Sequence, residues 1–562
     1  MQKTYTNPVY DYRRSPDQDA TSTPHHPVII VGAGPCGLAA ALDLALQGIP
    51  SVIVDDNNTV SVGSRAICFA KRTLEIMDRY GCGERMLAKG ITWQRGKVFF
   101  QQEQVYEFDL LPEDHHKIPA FINLQQYYFE EYLVDRVNEF AEIDLRWKTR
   151  VTEVATGEDQ TSISLTTPDG DYRITCDYLL VADGANSKIR DMLGLESKGQ
   201  VFQDRFLIAD VVMKADFPTE RWFWFDPPFN PGQSALLHRQ ADDVWRIDLQ
   251  LGWDADPEEE KKEENIRPRL QQMLGDEVEF ELEWASVYTF QCRKMDNFIR
   301  DRVIFMGDAA HQVSPFGARG ANGGVQTVEN LAWKVARVLR GEAPPQLLQT
   351  YNDERQHGAD ENIRNSTRST DFISPKNHIS RVFRDETLKL AKNYPFARSL
   401  VNSGRLSLPC AYTDSPLITP EQDDFAGPLC PGTVARDAPC QIGTEPGWLL
   451  NQLGNRFVLL VDLGMPRADD LKQELQALAD LPDLDIIGVC PAGMEQPAAA
   501  DFPGLLISDS SGVIAERYDL QPGSSYLLRP DQVVAARWRD CSASNVKQAL
   551  RKALGFELEN AA

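Results

Sequence analysis

Paired cysteines are missing from this chain. Its ten cysteines, at 36, 68, 82, 176, 292, 410, 430, 440, 490 and 541, are scattered over 562 residues with no CxxC among them. That spacing suits neither a disulfide framework nor a zinc site, so no metal is expected and a reducing compartment is. Positive charge is short as well: 58 Lys and Arg against 83 Asp and Glu leave a formal charge of −25. Nucleic acids and anionic membrane surfaces are held by clustered Lys and Arg, so neither is an expected partner. No apolar run approaches the length of a membrane span, and residues 1–26 hold no apolar segment of the signal-peptide kind. A cytoplasmic location is therefore expected. Internal repeats are absent too, and the length exceeds what one hydrophobic core supports, which argues for several domains.

What is present is organised in pieces. Residues 1–26 are polar and Pro-rich and read as a surface arm. "PVIIVGAGPCGLAAALDLALQGIPSVIVDD" then reads strand, tight turn, helix, strand, with apolar runs at 28–31 and 51–54. Residues 201–296 alternate with period two and hold a hairpin, "SALLHRQADDVWRIDLQL", that turns at Ala-Asp-Asp. "PEEEKKEENIRPRLQQML" reads as an exposed helix interrupting that sheet, and helix follows Gly324 to about residue 405. The expected class is α/β: a Rossmann-like domain in two parts (27–200 and 297–408) and an inserted mixed or antiparallel sheet for the substrate (201–296). A linker (409–431) and a C-terminal domain of strands and helices (432–562) complete it.

Two glycine motifs carry chemistry. In "GAGPCG", directly after a strand and opening a helix, Gly32 permits the turn, Gly34 lets backbone approach a pyrophosphate, and Gly37 packs helix on strand. Asp55 closes the second strand, where an acid can bind ribose hydroxyls. In "RVIFMGDAAHQVSPFGARGANGG" a short apolar strand delivers one carboxylate, Asp308, into a loop holding five glycines if Gly307 is counted. The first motif predicts a dinucleotide but leaves NAD and FAD both open.

The second motif, with three others in the same order, resembles the class A flavoprotein monooxygenases of the para-hydroxybenzoate hydroxylase type. The resemblance covers most of the first 400 residues and implies a non-covalently bound FAD. It implies that Gly307 and Asp308 meet the ribityl chain and that Asn322 and Gly323 offer N–H groups to the flavin ring. "SRAICFAKRTLEIM" would give Arg65 to the ribose and pyrophosphate region, and "INLQQYYFEEYL" would give Gln126 a flavin contact. "VADGANSKIR" would place Asp183 and Gly184 near FAD and the nicotinamide donor, NADH or NADPH. Thr327 stands where relatives often have Asp, and His311, inside the motif, reads as structural. The tail, with "SYLLRPDQVVAARW", resembles the thioredoxin-like domain appended to phenol hydroxylase; without CxxC, a role in folding or subunit contacts is expected, and a homodimer is compatible with that.

The activity so implied is hydroxylation of a phenolic compound in aromatic catabolism, with NAD(P)H and O₂, through a flavin C4a-hydroperoxide. Strand periodicity places His238 and Gln240 on one face of the 201–296 sheet, and Arg246 and Asp248 on one face of the next strand. Aligned with para-hydroxybenzoate hydroxylase, Arg246 falls at an Arg near the flavin. Gln240 replaces an Arg that holds the benzoate carboxylate. His238 is the candidate for ionising the phenol, Arg246 for stabilising negative charge, and Gln240 and Asp248 for binding substrate. "WFWFDPP" is similar to the W-x-W-x-I-P signature of flavin-dependent halogenases, but Asp226 breaks it, and Trp222 and Trp224 read as packing. A flavin-binding protein without turnover is the remaining alternative.

Overall fold

Strands covered on both faces must be apolar at every position, and Val28, Ile29 and Ile30 are fully buried. A computed structural model describes residues 4–63, 65–215, 217–401, 406–464, 468–494, 496–498 and 502–558. Strand His25–Val31 lies parallel between Gly170–Val181 and Ser51–Val54, with Val303–Phe305 and Ile143–Arg146 parallel beyond them. Ile30 stands opposite Leu180 and Ile53. The helix Pro35–Leu46 packs against this sheet together with a central helix, Gly320–Leu339.

The second sheet has eight strands, in the order His311–Gln312, Phe280–Met295, Ser197–Met213, Val244–Leu251, Ser234–Arg239, Arg221–Phe225, Arg95–Phe100 and Glu103–Asp109. The last two come from the stretch assigned to the first domain, so the sheet begins about a hundred residues before the expected boundary at 201. Period two divides it cleanly. Leu207, Ala209, Val211, Leu237, Trp245, Ile247 and Leu249 form a core on one face with Ile266, Leu270 and Leu274 of helix Glu263–Leu274. That helix, expected to be exposed, buries one residue per turn on the sheet, and its polar side, with Glu263, Glu264 and Arg267, faces water. Trp222 and Trp224 join the same core, as their reading as packing requires. The hairpin turns through Asp242 and Asp243, whose positive φ of 62° and 54° match the twist of its strands.

The C-terminal part holds a seven-stranded sheet in which Phe457–Asp462, Leu484–Pro491 and Leu505–Asp509 run parallel. The antiparallel pair Ser525–Leu528 and Val534–Trp538 flanks Phe457–Asp462. One of its two cores takes in Trp333 of the central helix and Leu347 of the next, a long helix Leu347–Ile373. The loop between Leu528 and Val534 enters the first part of the chain. There Arg529 reaches Glu354 of the long helix at 2.7 and 3.0 Å, and Arg72 donates to Gln532 at 2.7 Å. Among the described residues no helix is long and apolar enough to cross a membrane.

Candidate active site

The glycine fingerprint has the geometry its chemistry needs. Gly32 has φ +104°, and a Cβ there would lie 2.5 Å from the carbonyl oxygen of Ala182; at Gly37 it would lie 1.8 Å from that of Gly32. Beyond Gly34, at the N-cap of helix Pro35–Leu46, nothing lies within 4 Å of a Cβ. Two glycines close the turn while the third leaves room above a helix N-terminus, where orphan N–H groups and the positive end of the dipole favour phosphate. Asp55 braces the same loop, accepting from Ala33 N–H at 2.6 Å and Asn57 N–H at 2.8 Å. Its remaining lone pairs suit ribose hydroxyls.

Cys36, in the first turn of that helix, meets Gly307 and Gly324, so Asp308 and the start of the central helix would receive the other half of a dinucleotide. Asp308 is reached by water yet walled by protein, as at the floor of a cleft; that crowding pushes its carboxyl up to about 6 against the downward pull of Arg65. Gly307 and Gly324 are required by a neighbour: a Cβ on either would lie 2.7 Å from Cys36 Sγ. The N–H groups of Gly320, Ala321 and Asn322 precede the first intrahelical bond and point out of the helix end. Gly323 was expected to offer its N–H as well. It does not, because that N–H donates to the Arg319 carbonyl at 2.7 Å as the helix starts. The Asn322 side chain joins two segments, accepting from Ala70 N–H at 2.8 Å and donating to the Cys68 carbonyl at 2.9 Å.

The other expected cofactor residues frame this cleft. Gln126 accepts from Ala66 N–H at 2.9 Å and donates to Glu130 at 2.7 Å, so it holds the loop that carries Arg65. The Arg65 carbonyl accepts from Arg246 Nη1 of the second sheet at 3.4 Å. Asp183 accepts from Ile189 N–H at 3.2 Å, with its other oxygen buried and unpartnered, and Gly184 has φ +80° with open space beside it. Sequence reasoning missed Arg190, whose guanidinium ties the carbonyls of Ala309 and Ala185 together at 3.0 Å each.

Across the cleft stands the sheet face opposite its apolar core. His238 pairs with Arg246, and Arg246 with Asp210, in register across three strands. Arg246 is not a free cation. Its Nε and Nη2 each donate to Asp210 at 2.8 Å, and this bond, working against burial, keeps the guanidinium charged. Gln240 is wholly buried and donates to the same carboxylate at 3.1 Å, so it braces Asp210 where it was expected to meet substrate. Asp210 went unnoticed in the sequence, although an acid within "FLIADVVM" opposite an Arg was a readable signal.

His238 differs from its expected role as a base. Burial first, then Arg221 and Arg246, hold its pKa well below the ordinary value, so the ring stays neutral. Its Nδ1 lies 3.8 Å from Cys68 Sγ, whose thiol donates to Asn123 at 3.2 Å. With the thiol proton so placed, Nδ1 keeps the ring proton and Nε2, buried and unpartnered, presents a lone pair. Asp248 behaves oppositely. Burial pushes its carboxyl up to about 6 although Arg246 pulls it down, and its Oδ1 is buried without a partner. Phe206, Phe290 and Phe316, in contact at 5.1–5.3 Å between ring centres, extend this face with an aromatic wall.

Comparisons with known proteins agree with this geometry. The model of the FAD binding domain family matches residues 25–366. The chain is 29% identical over 526 residues to 6-methylpretetramide 4-monooxygenase of Streptomyces rimosus, covering 91% of this chain and 90% of that one. It is 24% identical over 513 residues to a 3-(3-hydroxy-phenyl)propionate/3-hydroxycinnamic acid hydroxylase of Mycolicibacterium smegmatis, covering 90% of both. Among solved structures, the flavin-dependent monooxygenase PieE in complex with FAD and substrate superposes with a TM-score of 0.78 at 22% identity, covering 94% of this chain and 99% of that one. A fingerprint open above its helix, an acid at the cleft floor and a family match spanning both thus lead to one statement: the chain belongs to the FAD binding domain family and is a flavin-dependent aromatic monooxygenase.

Proposed function

We propose that this enzyme hydroxylates a phenolic aromatic compound, with NADH or NADPH as electron donor and O₂ as oxygen source. The observation that carries the reading is Asp248: a buried carboxyl pushed up to about 6, with one oxygen unpartnered, on the sheet face that meets the cofactor cleft. A group with that pKa accepts a phenol proton near neutral pH better than a carboxylate in water, whose pKa is about 4. His238 Nε2 accepts a hydrogen bond from a substrate hydroxyl without holding its proton. Arg246, fixed by Asp210 and Gln240, orients the ring and balances the charge left when the phenol ionises. The aromatic wall and the buried sheet exclude water from the reacting carbon.

FAD, when bound, supplies the oxygen-activating chemistry. Gly32, Gly34 and Gly37 would hold its pyrophosphate, Asp55 its adenosine ribose, Asp308 its ribityl chain, and the first turn of the central helix its ring. A benzoate-type substrate fits poorly, because Gln240 offers no guanidinium for a carboxylate and is already engaged. The relatives span a hydroxyphenylpropionate and a pretetramide, so both simple and fused-ring phenols belong in the test. A halogenase draws no support, since Trp222 and Trp224 lie in the core on the sheet's other face. The deciding experiment is phenol-stimulated NAD(P)H oxidation, with mass analysis showing one oxygen atom from labelled O₂ in the product. Stoichiometric peroxide with no hydroxylated product from any phenol in the panel would reject the reading.

A further inference from the structure

Arg355, on the long helix, is wholly buried, and among the described residues no carboxylate lies within ion-pair distance of its guanidinium. An unpaired buried charge is costly unless it serves a purpose. Its three contacts are neutral oxygens: Thr327 Oγ1 at 3.2 Å from Nε, the Tyr412 hydroxyl at 2.5 Å from Nη1, and the Gly323 carbonyl at 3.3 Å from Nη2. Two of these lie in the first two turns of the central helix, the element whose open end faces the cofactor cleft. Thr327 is a hub. It gives its one hydroxyl proton to the Gly323 carbonyl at 2.8 Å, so it can only accept from Arg355 and from His311 Nε2, which lies 3.1 Å away. His311 thereby carries its proton on Nε2. Burial first, then Arg355, brings its pKa down to about 3, so it adds no charge.

We propose that Arg355 is a positioning residue that sets the reduction potential of the bound flavin. It acts through the central helix: it clamps the helix start through Gly323 and Thr327, and it places an uncompensated positive charge behind the end where N–H groups already point outward. Tyr412, from the segment leading to the C-terminal domain, holds it in place. Two-electron reduction with uptake of one proton leaves one net negative charge on the flavin ring. A cation behind that helix end therefore stabilises the reduced cofactor more than the oxidised one. The inference rests on the family assignment and not on the choice of substrate.

The test is the midpoint potential of the FAD-loaded enzyme without substrate, by reductive titration against an indicator dye, for Arg355→Gln, Arg355→Lys and Thr327→Asp. Arg355→Gln is expected to weaken reduced FAD relative to oxidised FAD about tenfold, which lowers the potential by about 30 mV for a two-electron couple. Arg355→Lys keeps the charge and restores most of the potential. Thr327→Asp introduces a carboxylate beside Nε and lowers the potential as Arg355→Gln does, while leaving Arg355 in place. Should Arg355→Gln fail to fold, Thr327→Asp alone decides. FAD-bound variants with the parent's potential, or a fall in Arg355→Lys as large as in Arg355→Gln, would overturn the proposal.

Discussion

Among the buried charge clusters of the described residues, two are finished to different degrees. At the junction with the C-terminal domain, Glu354 takes Arg529 at 2.7 and 3.0 Å, Lys334 at 2.8 Å and Asn330 at 2.6 Å, while Ser415 donates to it as well. No atom of these five side chains is left without a partner. On the sheet face at the cleft, Asp248 Oδ1, His238 Nε2, Gln240 Oε1 and Arg221 Nη1 are all buried and unpartnered. A complete network rigidifies, whereas one with several open positions costs stability that only a bound molecule returns. The first cluster holds two parts of the chain together; the second is built for something that comes and goes.

The largest expected effect breaks the complete cluster. Glu354→Ala leaves Lys334 as a buried cation without its anion and Arg529 with Asp531 alone, a loss of about 3–5 kcal/mol. Chemical denaturation measures it, and a loss below about 1 kcal/mol would show that the junction does not carry the stability assigned to it. Acid should spare this cluster. Although burial alone would raise its pKa, Arg529 and Lys334 hold Glu354 well below the ordinary range. Its contribution is thus complete above about pH 4.5, the ordinary value for Glu, and is lost only as pH falls far below that.

Asp248→Asn should leave the fold intact and lower kcat/KM by roughly 10²–10⁴, the usual worth of general acid–base catalysis. The parent's activity should fall as pH drops through about 6, where Asp248 takes up its proton, and the Asn variant should lack that limb. The stability sign opposes that of Glu354. The folded carboxyl binds its proton more tightly than the unfolded one, so its share of stability is present below about pH 4 and is lost as pH rises through 6. A pH profile of the Asn variant with the same acid limb would assign the base elsewhere.

The smallest effect on the fold is at Gly34. With nothing within 4 Å of a Cβ there, Gly34→Ala should cost about 0.5 kcal/mol or less in the FAD-free protein. FAD affinity, read by fluorescence titration, should nonetheless fall clearly, because the methyl group enters the space reserved for the pyrophosphate. Gly32→Ala, which puts a Cβ 2.5 Å from the Ala182 carbonyl oxygen, should damage both.

The parts legible in the sequence were those whose reason is local. A glycine needed for positive φ at residue 32, or for close packing at residue 37, declares itself within a few positions, and so does the acid that follows the strand Val303–Phe305. Period two placed His238 and Gln240 on one face of their strand and Arg246 and Asp248 on one face of the next, and the pairing of His238 with Arg246 puts the two sets on one side of the sheet. Partnership was not legible. Asp210 meets Arg246 across 36 positions of sequence, and the strands at 95–109 join the second sheet from outside its expected boundary. The chemistry of His238 depended on burial beside Arg221 and Arg246, which no spacing reveals.

The loop Arg529–Gln532 has a consequence for how the protein is made. Glu354 and Arg72 are buried in the flavin-binding part, where Lys334 and Glu329 already pair with them, yet Arg529 and Gln532, which complete their contacts, are translated more than a hundred residues after that part is otherwise complete. At about 5–20 residues per second, the nascent chain waits roughly 6–25 seconds with those contacts incomplete. A ribosome product cut short anywhere in that interval carries a flavin fold in which Glu354 lacks Arg529 and Arg72 lacks Gln532. Completion of the cofactor domain's contacts is thereby tied to synthesis of the loop Arg529–Gln532.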